Sequence, residues 1–199
     1  VLGEEAIRAV VEQVLAHSRA DETEVIFYGG QSQLTRFANS YIHQNVAEQN
    51  TQVIVRAVLG KRIGVASTND LNPPALAAVV ERATMIARFQ QENADYQGLP
   101  GPAPYSSVQS YDRATAATTP EQRAAGVGAI CTPAQAAGLH AAGAFATDEG
   151  EVAIGNSHGI FAYQPATSAQ LSTVVMGESG AGYADAASID FGAIDAAAL

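Results

Sequence analysis

The stretch G155-N-S-H-G159 has the G-x-S-x-G spacing that places a serine nucleophile on a sharp strand-to-helix turn. That chemistry needs a helix after the serine, whose N-terminus helps to form the oxyanion site. It also needs an acid and then a histidine further along the chain. Here Ile160, Phe161, Ala162 and Tyr163 follow, which prefer strand. The histidine that comes after Ser157 is its neighbour His158, and turn or strand geometry points adjacent side chains apart. Asn156 is suited to opening a turn and Gly159 to closing it with a permissive φ, so the five residues read as a turn between strands.

The other reactive residue types are dispersed. His17, His43, His140 and His158 show neither i, i+4 spacing nor an H-E-x-x-H pattern, so no two ligands are set on one helical face. Cys131, the single cysteine, has no partner for an internal disulfide, and beside Ile130 it reads as a small core residue. The glycine cluster G177-E-S-G-A-G182 lacks the Lys-Ser/Thr of a phosphate loop and reads as a flexible turn. Asp148/Glu149 and Glu4/Glu5 read as solvated turn and helix-start carboxylates. The residues thus nominate no catalytic, cofactor-binding or metal-binding side chain. What remains is main-chain chemistry: an exposed strand could accept an extended peptide as an added strand.

Composition bounds the class. The 199 residues are 47% apolar and 15% charged, which is globular composition. Net charge is −10, and the ten Lys and Arg read as thinly spread over the chain, which gives no basic face for a nucleic-acid backbone. No apolar run approaches the roughly 20 residues of a membrane span, and no basic-then-apolar leader is visible. The expectation is a soluble, cytoplasmic protein binding neither nucleic acid nor membrane. Val1 leads straight into a helix, and D195-A-A-A-L199 reads as a cap and first turn with no helix after it. A portion of a longer protein is expected from this.

The elements that must position these residues follow from local pattern. Ile7, Val10, Val11, Val14 and Leu15 share one helical stripe within residues 4–18. Short β-rich runs come next: 23–28, 33–38, a turn at Asn39-Ser40, 41–48, 51–59, a tight turn at Gly60-Lys61, and 62–67. Asn72 with Pro73 starts a helix that buries Leu76, Val79, Val80, Ala83, Ile86 and Ala87. Residues 91–118 lack any apolar period and read as a linker. Thr119 and Gln122 form a capping box for a helix that runs to about Cys131, where Thr132-Pro133 breaks or restarts it. Strands at 144–147, 151–154, 160–163 and 168–176 follow, with a turn at Asp148-Glu149-Gly150. The fold class is α+β: an antiparallel meander flanked by helices, then a second helix with antiparallel strands. The expected organisation is an N-terminal domain over 1–90, a linker over 91–118 and a central domain over 119–199.

Several of these stretches resemble the TldD/PmbA family, known as modulators of DNA gyrase and as peptide-maturation proteins. R56-A-V-L-G-K-R-I-G-V-A-S-T-N-D70, then L-N-P-P-A-L and A83-T-M-I-A-R88, are similar to its N-terminal domain. V152-A-I-G-N-S-H-G159, T167-S-A-Q-L-S-T-V-V175 and G182-Y-A-D-A-A-S-I-D190 are similar to its central domain. The resemblance implies a cytoplasmic, dimer-forming protein acting on peptides or unfolded polypeptides. TldD-type members carry an H-E-x-x-x-H-type metal-binding helix in their C-terminal half. PmbA-type (TldE-type) members lack those ligands and pair with a TldD-type subunit. No such motif occurs in this sequence, so no catalytic or metal residue carries over, and a zinc-type metal is implied only if a TldD-like C-terminal part follows. N-S-H-G and S67-T-N-D-L71 are closer to the PmbA-type branch. The expected function is therefore the non-catalytic N-terminal and central part of a PmbA-like subunit in peptide maturation or degradation, with a TldD-like partner or a second copy. The alternatives are the non-catalytic half of an active TldD-type metallopeptidase, or a stand-alone peptide-binding module.

Overall fold

A computed structural model describes residues 1–106 and 108–199; residue 107, within the expected linker, lies outside the described residues. The elements in chain order are α1 (Glu4–His17), β1 (Glu22–Ala38), β2 (Tyr41–Leu59), β3 (Arg62–Thr68), α2 (Pro73–Phe89), α3 (Arg113–Ala116), α4 (Pro120–Ala136), β4 (His140–Asn156), β5 (Phe161–Met176) and β6 (Ala181–Ser188). A 3-10 turn, Phe191–Ala193, follows. The six strands form one sheet in the order β3-β2-β1-β4-β5-β6. β2 and β3 pair antiparallel from Leu59↔Arg62 to Val53↔Thr68, and β5 and β6 from Met176↔Ala181 to Ala169↔Ser188. This is the α+β antiparallel sheet with flanking helices that the residue pattern predicts. No helix among the described residues is long and apolar enough to cross a membrane.

Local chemistry explains the boundaries. Asn39 and Ser40 take φ of 51° and 59° between β1 and β2, the left-handed region that short polar side chains tolerate. Gly60, at φ 61°, turns β2 into β3. The Asn72 side chain accepts the Ala75 amide at 2.8 Å, with proline in the first turn of α2. In α4 the Thr119 and Gln122 side chains each accept the other residue's backbone N–H, completing the capping box.

Several local expectations change, among them the separate strands at 160–163 and 168–176, which form the single strand β5. The runs 23–28 and 33–38 form one strand, as do 41–48 and 51–59, and β4 passes straight through Asp148-Glu149-Gly150. Between 28 and 33 and at Gly150 glycine has a packing reason: a Cβ on Gly30 would overlap the Glu149 carbonyl oxygen and approach Gly150, so glycine permits close backbone approach rather than a break. The α4 helix continues through Pro133 to Ala136. It ends where Gly138, at φ 71°, lets the Leu139 amide reach the Ala134 oxygen and the Gly138 amide reach Gln135, a Schellman closure. The segment expected to be a linker also holds α3, capped by Asp112.

The chain divides into two compact units that interleave along the sequence. Residues 1–29, 50–108 and 151–164 form the first, and 30–49, 109–150 and 165–199 the second. In the first, α1 and α2 cover a core of Ile7, Val11, Val25, Phe27, Val53 and Leu76, among others. In the second, α4 supplies Val127, Ile130, Cys131 and Ala134 to a core with Phe37, Phe145 and Leu171. Phe145 stacks on Phe191 with ring centroids 4.9 Å apart.

Candidate functional site

The turn picked out by its serine lies in the first unit, between β4 and β5. The Asn156 side chain accepts the amides of His158 at 3.0 Å and Ile160 at 3.1 Å and donates to the Pro100 carbonyl at 2.9 Å. The Gly159 amide closes back on the Asn156 oxygen, and Gly159 takes φ 92°. These are the roles that the turn reading assigns to both residues. Ser157 is spent on β1: its hydroxyl oxygen accepts the Thr23 amide at 3.0 Å, and its own amide donates to the Thr23 carbonyl at 2.8 Å. A strand, not a helix, follows.

His158 does face a carboxylate. Its Nε2 lies 3.1 Å from Glu22 Oε1 and its Nδ1 lies 3.0 Å from the Leu99 carbonyl oxygen. Glu22 also accepts the Tyr96 hydroxyl at 2.5 Å and the Leu99 amide at 3.3 Å. Burial, then the hydrogen bond and charge of Glu22, push the Tyr96 phenol above its ordinary range. A histidine beside a carboxylate is the arrangement of a general base. Here both ring nitrogens are taken by Glu22 and Leu99, and the nearby hydroxyl is bonded to Thr23. The cluster fastens residues 96–100 to the start of β1 and to the β4–β5 turn.

The remaining candidates scatter. His17 ends α1, His43 lies on β2 and His140 begins β4. Among the described residues no group of three His, Cys, Asp or Glu side chains could hold a metal ion. Cys131 is buried in the second core, and burial raises its thiol above the ordinary value. Asp148 accepts the Ser168 hydroxyl and Glu149 the Tyr111 hydroxyl, both from within a strand rather than a turn. Gly177 to Gly180 forms the β5–β6 hairpin turn, with the Gly177 amide on the Gly180 oxygen.

Two buried charges escape a pattern reading. Glu151, 2% exposed, accepts the amides of Leu2 and Gly3 at 2.7 Å each and the Tyr163 hydroxyl at 2.7 Å. It thereby caps α1, whose own Gly3 offers no side-chain cap. Arg123, 1% exposed in the second unit, donates to Gln33, Thr35, Thr147 and the Thr118 carbonyl, all neutral acceptors. Burial pushes its pKa down from the usual arginine value. One sign was available in the letters. The basic residues are not spread over the whole chain; they stop at Arg123, and Asp148, Glu149, Glu151, Glu178, Asp185, Asp190 and Asp195 follow it.

The main chain offers more than the side chains. The edges of the sheet are β3 and β6. β3 lies close beneath α2, where a Cβ on Gly64 would overlap the backbone at Ala83 and Ala87. β6, A181-G-Y-A-D-A-A-S188, has mostly small, exposed side chains, and among the described residues no strand lies beyond it. It contains neither the lysine nor the proline that commonly blunts an edge.

Comparison with solved structures places this sheet-and-helix arrangement among known folds. TldE from Thermococcus kodakarensis superposes with a TM-score of 0.80 at 18% identity, over 92% of this chain and 43% of that one. A Thermotoga maritima protein named as a modulator of DNA gyrase gives 0.82 at 12% identity, over 96% of this chain and 45% of that one. A Bacteroides thetaiotaomicron protein named in the same way gives 0.79 at 15% identity, over 98% and 48%. At these identities the likeness establishes the fold, and this chain spans less than half the length of each. No curated protein sequence matches. The family described as PmbA/TldA metallopeptidase domain 1 matches residues 23–87. That match, together with the shared fold, supports a member of the TldD/PmbA family.

Proposed function

We propose that this chain is the non-catalytic N-terminal and central part of a PmbA (TldE)-like subunit that acts with a TldD-like partner in the maturation or degradation of peptides. The observation that carries this reading is the family match on residues 23–87 within a fold shared with a TldE. The chain would supply sheet surface to a peptidase assembly, and the β6 edge is where an extended peptide would add by main-chain hydrogen bonds. The test is incubation of the purified chain with an unfolded polypeptide, with zinc and with a chelator, while amide exchange of 181–188 is followed. No cleavage under either condition and slowed exchange along β6 are expected. Chelator-sensitive cleavage by the chain alone would refute the non-catalytic reading, and unchanged exchange would remove strand addition at β6.

A second reading makes the whole protein an active TldD-type metallopeptidase and this chain its non-catalytic half. The same family description, which names a metallopeptidase domain, favours it. An H-E-x-x-x-H pattern later in the parent gene supports this second reading, and its absence supports the partner subunit.

A further inference from the structure

Residues 96–100 form a strap over the start of β1 and the β4–β5 turn, all within the first unit. The strap is anchored on both sides. Before it, the Asn93 amide donates to the Lys61 carbonyl at 3.0 Å and Lys61 Nζ to the Ala94 carbonyl at 2.9 Å. After it, the Val108 carbonyl accepts the Gln164 side chain at 3.3 Å. Among the described residues, none from 97 to 106 exchanges a backbone hydrogen bond with a helix or strand. Side chains hold this stretch, and its closure depends on their state.

Glu22 is the centre of that hold. The strap wraps it through Gly98, at φ 95°, where a Cβ would stand 3.3 Å from Glu22 Oε1. Its carboxylate accepts the Tyr96 hydroxyl and the Leu99 amide and faces the His158 ring. His158 in turn reaches the Leu99 carbonyl with Nδ1, and Asn156 donates to the Pro100 carbonyl. Next to Tyr96 lie Glu24 of β1 and Arg56 of β2, which pair with each other at 2.9 Å. The titratable and charged groups around the ring, among the described residues, are thus Glu22 and Glu24, Arg56 and Tyr96. Burial and Glu22 hold the Tyr96 phenol above its ordinary range, so it stays a donor at neutral pH.

Both partners of the His158 ring, a carboxylate and a carbonyl oxygen, accept and cannot donate. A neutral imidazole carries one N–H, so it satisfies one partner and turns a lone pair on the other. Both contacts are complete only in the doubly protonated ring. We infer that His158 is a proton-operated latch: its imidazolium ties the strap to β1, and loss of one ring proton releases the Leu99 carbonyl. The bond to the carboxylate is the stronger, so the remaining N–H stays with Glu22. The strap is therefore latched at about pH 5 and loosens towards about pH 8, the interval in which histidine changes charge. Release bares Leu99, which is 8% exposed when latched. The latch does not draw on the peptidase reading, and each can fail alone.

NMR of the chain between about pH 5 and about pH 8 tests it. Long-range proton–nitrogen spectra count the protons on the His158 ring. Exchange rates of the Gly98, Leu99 and Gly101 amides, each divided by the intrinsic rate at that pH, measure closure. Two ring protons and high protection are expected at the acid end. Protection of Leu99 is expected to fall about tenfold or more as the ring loses one proton, the worth of one charge-assisted hydrogen bond. Amides within α1 and α2 should keep theirs. H158A should show low protection at both ends of the range. Y96F should loosen the strap at every pH and keep the pH dependence. The His158 side chain is 38% exposed and outside the core, so unchanged far-UV circular dichroism establishes that H158A is folded. Constant protection while the ring titrates overturns the inference, whatever H158A does. So does a singly protonated ring under a closed strap at the acid end, or an H158A chain with the parent's pH dependence.

Discussion

The Asp112 carboxylate accepts the Thr115 amide at 2.6 Å and the Thr115 hydroxyl at 2.8 Å, and those two bonds, in that order, hold it below its ordinary value of 3.8. A depressed carboxylate contributes stability that is complete above its unfolded value and is lost as pH falls through its folded value. The loss therefore sets in around pH 3.8 and continues below it. Carboxyl-detected NMR should place the Asp112 midpoint below that of a model peptide. D112N keeps the cap without titrating, so its acid-unfolding curve should lack this component. A cap of this kind is readable because its partners lie three residues away. Glu151 and Arg123 are different. Each looks like any surface charge in the letters, and its burial arises from partners up to 149 and 90 residues distant in the chain. The turn at 155–159 was legible for the same local reason as the caps, through Asn156 and Gly159, whereas the Glu22–His158 contact was not.

At the scale of elements, the contrast between two glycines separates packing from propensity. Gly64 of β3 meets α2 so closely that a Cβ would overlap the Ala83 oxygen and the Ala87 amide nitrogen. G64A should cost about 1–3 kcal/mol through forced separation of strand and helix. Gly128, in the middle of α4, faces open space: no neighbouring atom lies within 4 Å of where a methyl group would stand. G128A should gain about 0.5–1 kcal/mol from helix propensity. Urea denaturation of both variants measures the opposite signs. The same contrast explains what the residue pattern could deliver. Helix caps and tight turns are set by neighbours in sequence, and α2, the capping box of α4 and both short turns of the β1–β3 meander are found where expected. Strand lengths are set by what lies alongside, so Gly29-Gly30 and Gly150 suggested breaks that the neighbouring strands bridge. Pro133 is carried by the end of α4, whose closure at Gly138 is the actual stop.

For the whole molecule, the interleaving of the two units has a direct consequence for cutting the chain. A nick within residues 101–106 leaves each unit built from both fragments, because the first unit takes 151–164 from beyond the cut and the second takes 30–49 from before it. The nicked protein is expected to elute as one species in size-exclusion chromatography and to unfold cooperatively, while either fragment alone shows no cooperative transition. Elution as two separate folded fragments would contradict this. Interleaving is invisible to local pattern because it depends on β1 pairing with β4, whose residues lie about a hundred positions away, as the Ser40–Ala141 hydrogen bonds show. The Glu151 cap carries the same separation into biosynthesis. The amides of Leu2 and Gly3 are translated 149 and 148 residues before their carboxylate acceptor. The nascent α1 helix must therefore wait, uncapped and with Ile7, Val11 and Val14 without their partners, until Glu151 has been made. In the cell, that interval leaves the apolar face of α1 open to a chaperone or a protease.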